Sequence, residues 1–180
     1  MPSFAPLPNP ASIVHAPHVR FTVLTDRLIR LEYSPAEQFE DRPSQAFWFR
    51  QQPVPPFTSK VTEQSVEIET EFLHLKYRLT RRGFHPSTLS IRLKQTGTTW
   101  RFGMQPRGNL GGTARTLDAV AGQTRIEPGL VSRRGWAVVD DSASLVFDPS
   151  GWLIPRQEVN NEAHKPPKNL RARLPCVLSG

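Results

Sequence analysis

The chain is 180 residues long, room for one domain with or without loose ends. Its 37% hydrophobic share and mean hydropathy of -0.44 are lean but not disordered, and 18 Pro with 11 Gly argue against a helical bundle, because proline lacks a backbone donor and clashes with the preceding turn. The formal net charge of +7 is divided, +4 over residues 101–134 and +3 over residues 156–180, with the remainder neutral; that fits structural arginines plus a solvated tail better than the single basic stripe of a DNA binder.

Residues 1–17 carry Pro2, Pro6, Pro8, Pro10 and Pro17 and read as an extended proline-rich lead-in, with ordered structure expected from His18. Val19, Phe21 and Val23 then alternate with Arg20 and Thr22, and Leu28, Ile29, Leu31 and Tyr33 form a second strand after a break at Asp26. Phe47, Trp48 and Phe49 are expected as a short aromatic strand, closed by Pro53, Pro55 and Pro56. The clearest meander follows. Val66 and Ile68 alternate, then Leu73, Leu75, Tyr77 and Leu79 against His74, Lys76 and Arg78, then Leu89, Ile91 and Leu93 against Ser90, Arg92 and Lys94, and then Trp100 and Phe102. A period of two places one set on a core and the other in solvent. Residues 103–135 lose that pattern and become rich in glycine and arginine, the character of a functional or partner-covered loop. Strand pattern returns at residues 136–139 and 145–147, with Asp140, Asp141 and Ser142 expected as the hairpin turn between them. The expected fold class is therefore all-β, an antiparallel β-sandwich over residues 18–156 with irregular tails, the second being a basic stretch over 157–180.

Few motifs carry chemistry. Gly103 and Gly108 have phosphate-loop spacing, but Asn109 and Leu110 stand where lysine and a hydroxyl are needed. Gly108 to Thr113 reads instead as a tight loop in which Gly111 and Gly112 take positive φ. The histidines His15, His18, His74, His85 and His164 show neither helix spacing nor grouped acids, so no metal or cofactor is expected. Cys176 is the only cysteine, which excludes an intrachain disulfide and suits a reducing compartment. No signal peptide, sequon or membrane span is read from the sequence, and a cytoplasmic location is expected. Nucleic acid and membrane are not expected partners.

Several separated stretches, in order, resemble glycoside hydrolase family 31, the α-glucosidases and α-xylosidases. They are Asn109-Leu-Gly-Gly-Thr-Ala-Arg-Thr-Leu-Asp118, Glu127-Pro-Gly-Leu-Val-Ser-Arg133 and Gly135-Trp-Ala-Val-Val-Asp-Asp-Ser142, preceded by residues 20–33, 39–45 and 50–55. The resemblance covers about residues 18–156 and implies the family's N-terminal sandwich, of the galactose-mutarotase-like type. It implies as partners a (β/α)8 barrel and an α-linked oligosaccharide. The two retaining carboxyls, roughly 5 Å apart, belong to the barrel, so no catalytic residue transfers to this chain. The resemblance further implies that residues 103–135 help wall the substrate pocket, with Arg115 and Asp118 as first candidates for sugar contact and Asp140 and Asp141 as weaker ones. After Arg156 the resemblance and the periodicity stop together, and residues 157–180 are expected not to be family sequence, as a truncated or misframed gene would produce. The competing expectations are a stand-alone carbohydrate-binding sandwich stacking sugars on Trp48, Trp100, Trp136 or Trp152, each of which sits in a core-like apolar context, and a basic nucleic-acid binder acting through its tail.

Overall fold

The computed structural model describes residues 3–105, 107–112 and 128–156, together with the backbone strand Pro175–Ser179. The described residues form an all-β fold of antiparallel sheets, as the alternating patterns predict.

One turn of 3-10 helix, Pro10–Ser12, leads into β1 (Ile13–Ala16), β2 (Val19–Thr25) and β3 (Leu28–Tyr33). Next come β4 (Phe57–Val61), β5 (Ser65–Thr70), β6 (Leu73–Arg78), β7 (Leu89–Leu93) and β8 (Thr99–Arg101). The chain ends with β9 (Trp136–Asp140), β10 (Val146–Phe147), β11 (Leu153–Ile154) and β12 (Pro175–Ser179). One five-stranded sheet runs β1-β2-β3-β12-β9, the other β4-β5-β6-β7-β8, and β10 and β11 form a small hairpin.

The alternation decides which side chains meet. Val19, Phe21, Val23, Ile29 and Leu31 of the first sheet join Val66, Ile68, Leu73, Leu75, Tyr77, Leu89, Ile91 and Trp100 of the second in one buried cluster. Phe21 and Tyr77 meet edge-on between the sheets, centroids 5.7 Å apart at 61°. Trp100 is anchored by its Nε1–H, which donates to the Met104 carbonyl at 3.1 Å.

The polar face of β2 and β3 departs from the sequence expectation. Arg20, Thr22, Arg30 and Glu32 alternate out of the core, yet all are buried, because the segment joining β3 to β4 folds back over them. Arg20 Nε and Nη2 donate to the two Glu32 carboxylate oxygens at 2.7 and 3.0 Å, and Arg30 Nη1 lies 2.7 Å from Glu32 Oε2. The Glu40 carbonyl on the covering segment accepts from Arg50 at 2.8 Å, Arg30 at 3.3 Å and Arg20 at 3.4 Å. Burial opposes the charge of Arg20, but its bonds to Glu32 and then Asp41 outweigh that and hold its pKa above the ordinary arginine value. Arg50 has only carbonyl partners among the described residues, from Glu40 and Arg42. Burial, reinforced by the charge of Arg30, lowers its pKa to about 10.

Four expectations need correction. Order begins before His18: β1 lies inside the proline-rich lead-in and pairs with β2 through Pro17-His18, where Pro17 fixes its own φ and His18 takes φ 64° to reverse the chain. The aromatic run 47–49 makes only a single bridge, Phe49 to Ala5, rather than a strand. Asp140 to Ser142 is not a hairpin turn, because β9 pairs with β12 in the large sheet while β10 pairs with β11. Within the stretch expected as an irregular tail, β12 slots between β3 and β9, so the sheet extends past residue 156.

Among the described residues Glu32 is the one carboxylate buried against both Arg20 and Arg30. Glu32→Gln, which keeps the volume and removes the charge, is expected to lower unfolding stability by about 3–5 kcal/mol, the cost of stranding a buried charge. Denaturant titration measures it, and a loss below about 1 kcal/mol, the value of an exposed pair, contradicts this account.

Candidate functional site

Arg115 and Asp118 lie outside the described residues. Asp140 and Asp141 are adjacent in the chain but do not form a pair. Asp140 is exposed, and its Oδ1 accepts from the Ser142 amide at 3.1 Å and from the Ser142 hydroxyl, a local cap of the turn. Asp141 is fully buried and its Oδ2 accepts from Arg156 Nη2 at 3.2 Å. Arg156 also donates to the Asp141 carbonyl at 2.9 Å and lies 3.7 Å from Glu40 Oε2. Burial pushes the Glu40 carboxyl up, but Arg42 and then Arg156 overcome it and hold its pKa below the usual glutamate value. Asp141 thus ties the end of β9 to the strand that leaves β11 and to the covering segment.

The described parts of 103–135 build a stem. Leu110 N–H donates to the Val131 carbonyl at 3.0 Å and Arg133 N–H to the Gly108 carbonyl at 2.9 Å, so residues 108–112 and 128–133 run antiparallel. Asn109 fastens the two arms with one side chain: its Nδ2 donates to the Gly129 carbonyl at 2.7 Å, and its Oδ1 accepts from Gly129 N–H at 2.8 Å and Gly111 N–H at 2.9 Å. Gly111 and Gly112 take φ of 69° and 90°, as the sequence predicts. Gly129 has another reason to be glycine: a Cβ there would lie 2.6 Å from the Gly111 carbonyl oxygen.

The stem carries its apolar residues outward. Leu110, Leu130 and Val131 are 56%, 64% and 63% exposed. Beside its root is a cleft of about 430 Å³ lined by Thr98, Met104, Gln105, Arg107, Arg134 and Trp136. Together these make a ledge with a concave root and an apolar rim.

A second surface was hidden from sequence reasoning. Trp100 and Trp136 are core residues, but Trp48 is 50% exposed and Trp152 75%. Trp48 stacks on Phe147 at 6.0 Å and 25°, and Phe4 backs Phe147 at 4.6 Å. The platform exists because Ala5 bridges Phe49 while Ser44 bridges Val146, which brings three distant segments together. Their apolar neighbours in the sequence gave no signal of exposure; only the long-range bridges create it.

Among the described residues no three His, Cys, Asp or Glu side chains group as metal ligands. No helix among them is long and apolar enough to cross a membrane.

Gly129→Ala introduces a methyl against a backbone oxygen, an overpacking strain of about 1–3 kcal/mol. Hydrogen exchange of the Leu110 and Arg133 amides is expected to quicken at least about tenfold, while amides of β5 to β7 keep their protection. Unchanged exchange at Leu110 and Arg133 overturns the stem. No known family model matches the chain, and none of the curated proteins compared with it does either.

Proposed function

We propose that this chain is the N-terminal β-sandwich of a family-31-like α-glycosidase, a support for a catalytic (β/α)8 barrel and a wall of its sugar pocket. The motifs in residues 20–55 and 109–142 bring this reading, and the antiparallel sandwich is compatible with it. The observation that carries it is the stem. Asn109 commits a whole side chain to holding an irregular loop in one shape, and that shape sets Leu110, Leu130 and Val131 into solvent. Ordering a loop costs conformational entropy, and exposing three adjacent aliphatic side chains on it makes sense when another surface covers them. In this role Arg115 and Asp118 approach sugar hydroxyls, Asp140 is available at the surface and Asp141 positions Arg156. Catalysis belongs to the partner barrel.

The exposed tryptophans support a second reading, a carbohydrate-binding sandwich that works alone. Trp48 on its Phe147 backing offers a flat aromatic face of the kind that stacks on a pyranose ring.

The purified chain is expected to release no chromophore from an aryl α-glucoside or α-xyloside, and to self-associate in sedimentation until Leu130→Ser and Val131→Ser are introduced together. Turnover that survives purification, or a monodisperse wild-type monomer, defeats the leading reading. Quenching of tryptophan fluorescence by maltose or xylo-oligosaccharides, lost in Trp48→Ala, establishes the second in its place.

A further inference from the structure

Strand register assembles a cationic depression on the outer face of the second sheet. Lys76 pairs with Ser90 and Ser90 with Arg101, so the three stand in one row across β6, β7 and β8. Strand spacing sets the two cations roughly 10 Å apart at the backbone with a short serine between them. Arg78 lies two residues along β6 from Lys76, and Arg92 two residues along β7 from Ser90, so a period of two puts both on this face. The resulting depression has a volume of about 400 Å³, and Lys76, Arg78, Arg101, Ser87, Ser90 and the carboxylate Glu67 are among the residues that line it.

No cation here stands directly opposite another: Glu67 faces Lys76, and Ser90 lies between Lys76 and Arg101. The rim carries one carboxylate, Glu67, which is already shared between Lys76 and His74 at 2.7 Å each. Glu69 pairs with Lys94 at 2.8 Å. Among the described residues Arg78, Arg92 and Arg101 have no ion pair, and all three are exposed.

We propose that this depression binds one oxyanion (phosphate, sulfate or carboxylate) carried by a small hydroxylated ligand. The Arg78 and Arg101 guanidinium groups present forked donors that match two oxygens of such a group, Lys76 adds a point charge, and the Ser90 hydroxyl donates from between Lys76 and Arg101. A nucleic-acid strand fits less well. Tyr77, the aromatic residue beneath the depression, turns its ring into the core against Phe21, so nothing here stacks a base. Glu67 and Glu69 on β5 also end the cationic row on one side, where a continuing phosphate backbone would have to pass.

The full-length chain titrated calorimetrically with inorganic phosphate, glucose 6-phosphate, glucuronate and glucose tests the site. The three anions are expected to bind and glucose is not. Tighter binding of glucose 6-phosphate than of phosphate identifies a sugar-borne anion, and equal binding identifies the free ion. Arg101→Ala is expected to weaken phosphate binding at least about tenfold, and Ser90→Glu, which puts a carboxylate between Lys76 and Arg101, to abolish it. Arg133→Ala, an exposed arginine outside this sheet, is expected to leave it unchanged. Arg101 and Arg133 are exposed and Ser90 is half-buried at the surface, so thermal melts of the variants separate lost binding from lost folding. The proposal fails if none of the three anions binds at up to about 10 mM, if Arg133→Ala weakens binding as much as Arg101→Ala, or if duplex DNA binds and every cation removed costs the same affinity.

Discussion

The layer that covers the outer face of β2 and β3 hangs from the Glu32 carboxylate, held between the Arg20 and Arg30 guanidinium groups at 2.7 Å from each. The hydrophobic contact between the sheets would form without it. What would be lost is the second layer. Because Glu32 neutralises the polar face of β2 and β3, the segment joining β3 to β4 can lie on that face, and its Glu40 carbonyl then receives Arg20, Arg30 and Arg50. That fixes Pro43 and Ser44, whose backbone carries Phe147 and Val146. The aromatic platform of Trp48, Phe147 and Phe4 is the last consequence. Buried ion pairs contribute little net stability, since desolvation cancels most of their attraction. Their value here is placement: one buried carboxylate decides where a long covering segment and a distant hairpin sit.

Arg156 repeats the same logic at the other end. It bonds the Asp141 carboxylate and carbonyl and approaches Glu40, so the chain after β11 is tied to the covering segment and to the end of β9. This explains why two neighbouring aspartates have opposite fates. Asp140 caps its own turn in solvent, whereas Asp141 spends its charge on an interior arginine. Asp140 closes β9 and Asp141 follows it, each committed to a different partner, so a pair of this kind suits architecture better than acid–base chemistry.

The meander from Val66 to Trp100 was legible because each of its strands is wet on one face, and the wet face writes polar residues at every second position. Legibility failed wherever that condition failed. Arg20 and Arg30 look like solvent-facing residues from sequence, since alternation records the direction of a side chain and not what later covers it. β1 was concealed by the prolines around it, which mark an edge strand as readily as a disordered lead. Asp140 to Ser142 has turn chemistry, but a turn between strands reads the same whether they pair with each other or leave for different sheets. The stem was half legible. Its glycines announced positive φ, while the role of Asn109 depends on Gly129, twenty positions on, and local sequence holds no trace of that distance.

The charge distribution shows the same limit from another side. Windows of sequence place +4 at residues 101–134 and +3 at residues 156–180, while a further +3 over residues 57–100 is hidden in the sum by −3 over residues 135–155. Lys76, Arg78 and Arg92 come from that hidden stretch. Pairing explains the difference. The acids that balance them in the sum are Asp140, Asp141 and Asp148, far along the chain, while Glu67 and Glu69 on β5 are engaged by Lys76, His74 and Lys94. Opposite charges cancel in a window regardless of position, but in a sheet they cancel only between positions that register brings together. Antiparallel register stacked Glu67, Lys76, Ser90 and Arg101 into one row, with the acid beside Lys76 at one end and Arg101 at the other. A charge excess that vanishes in the whole-chain sum can therefore stand together on one sheet face, and the strand pairing, rather than the composition, decides whether it does.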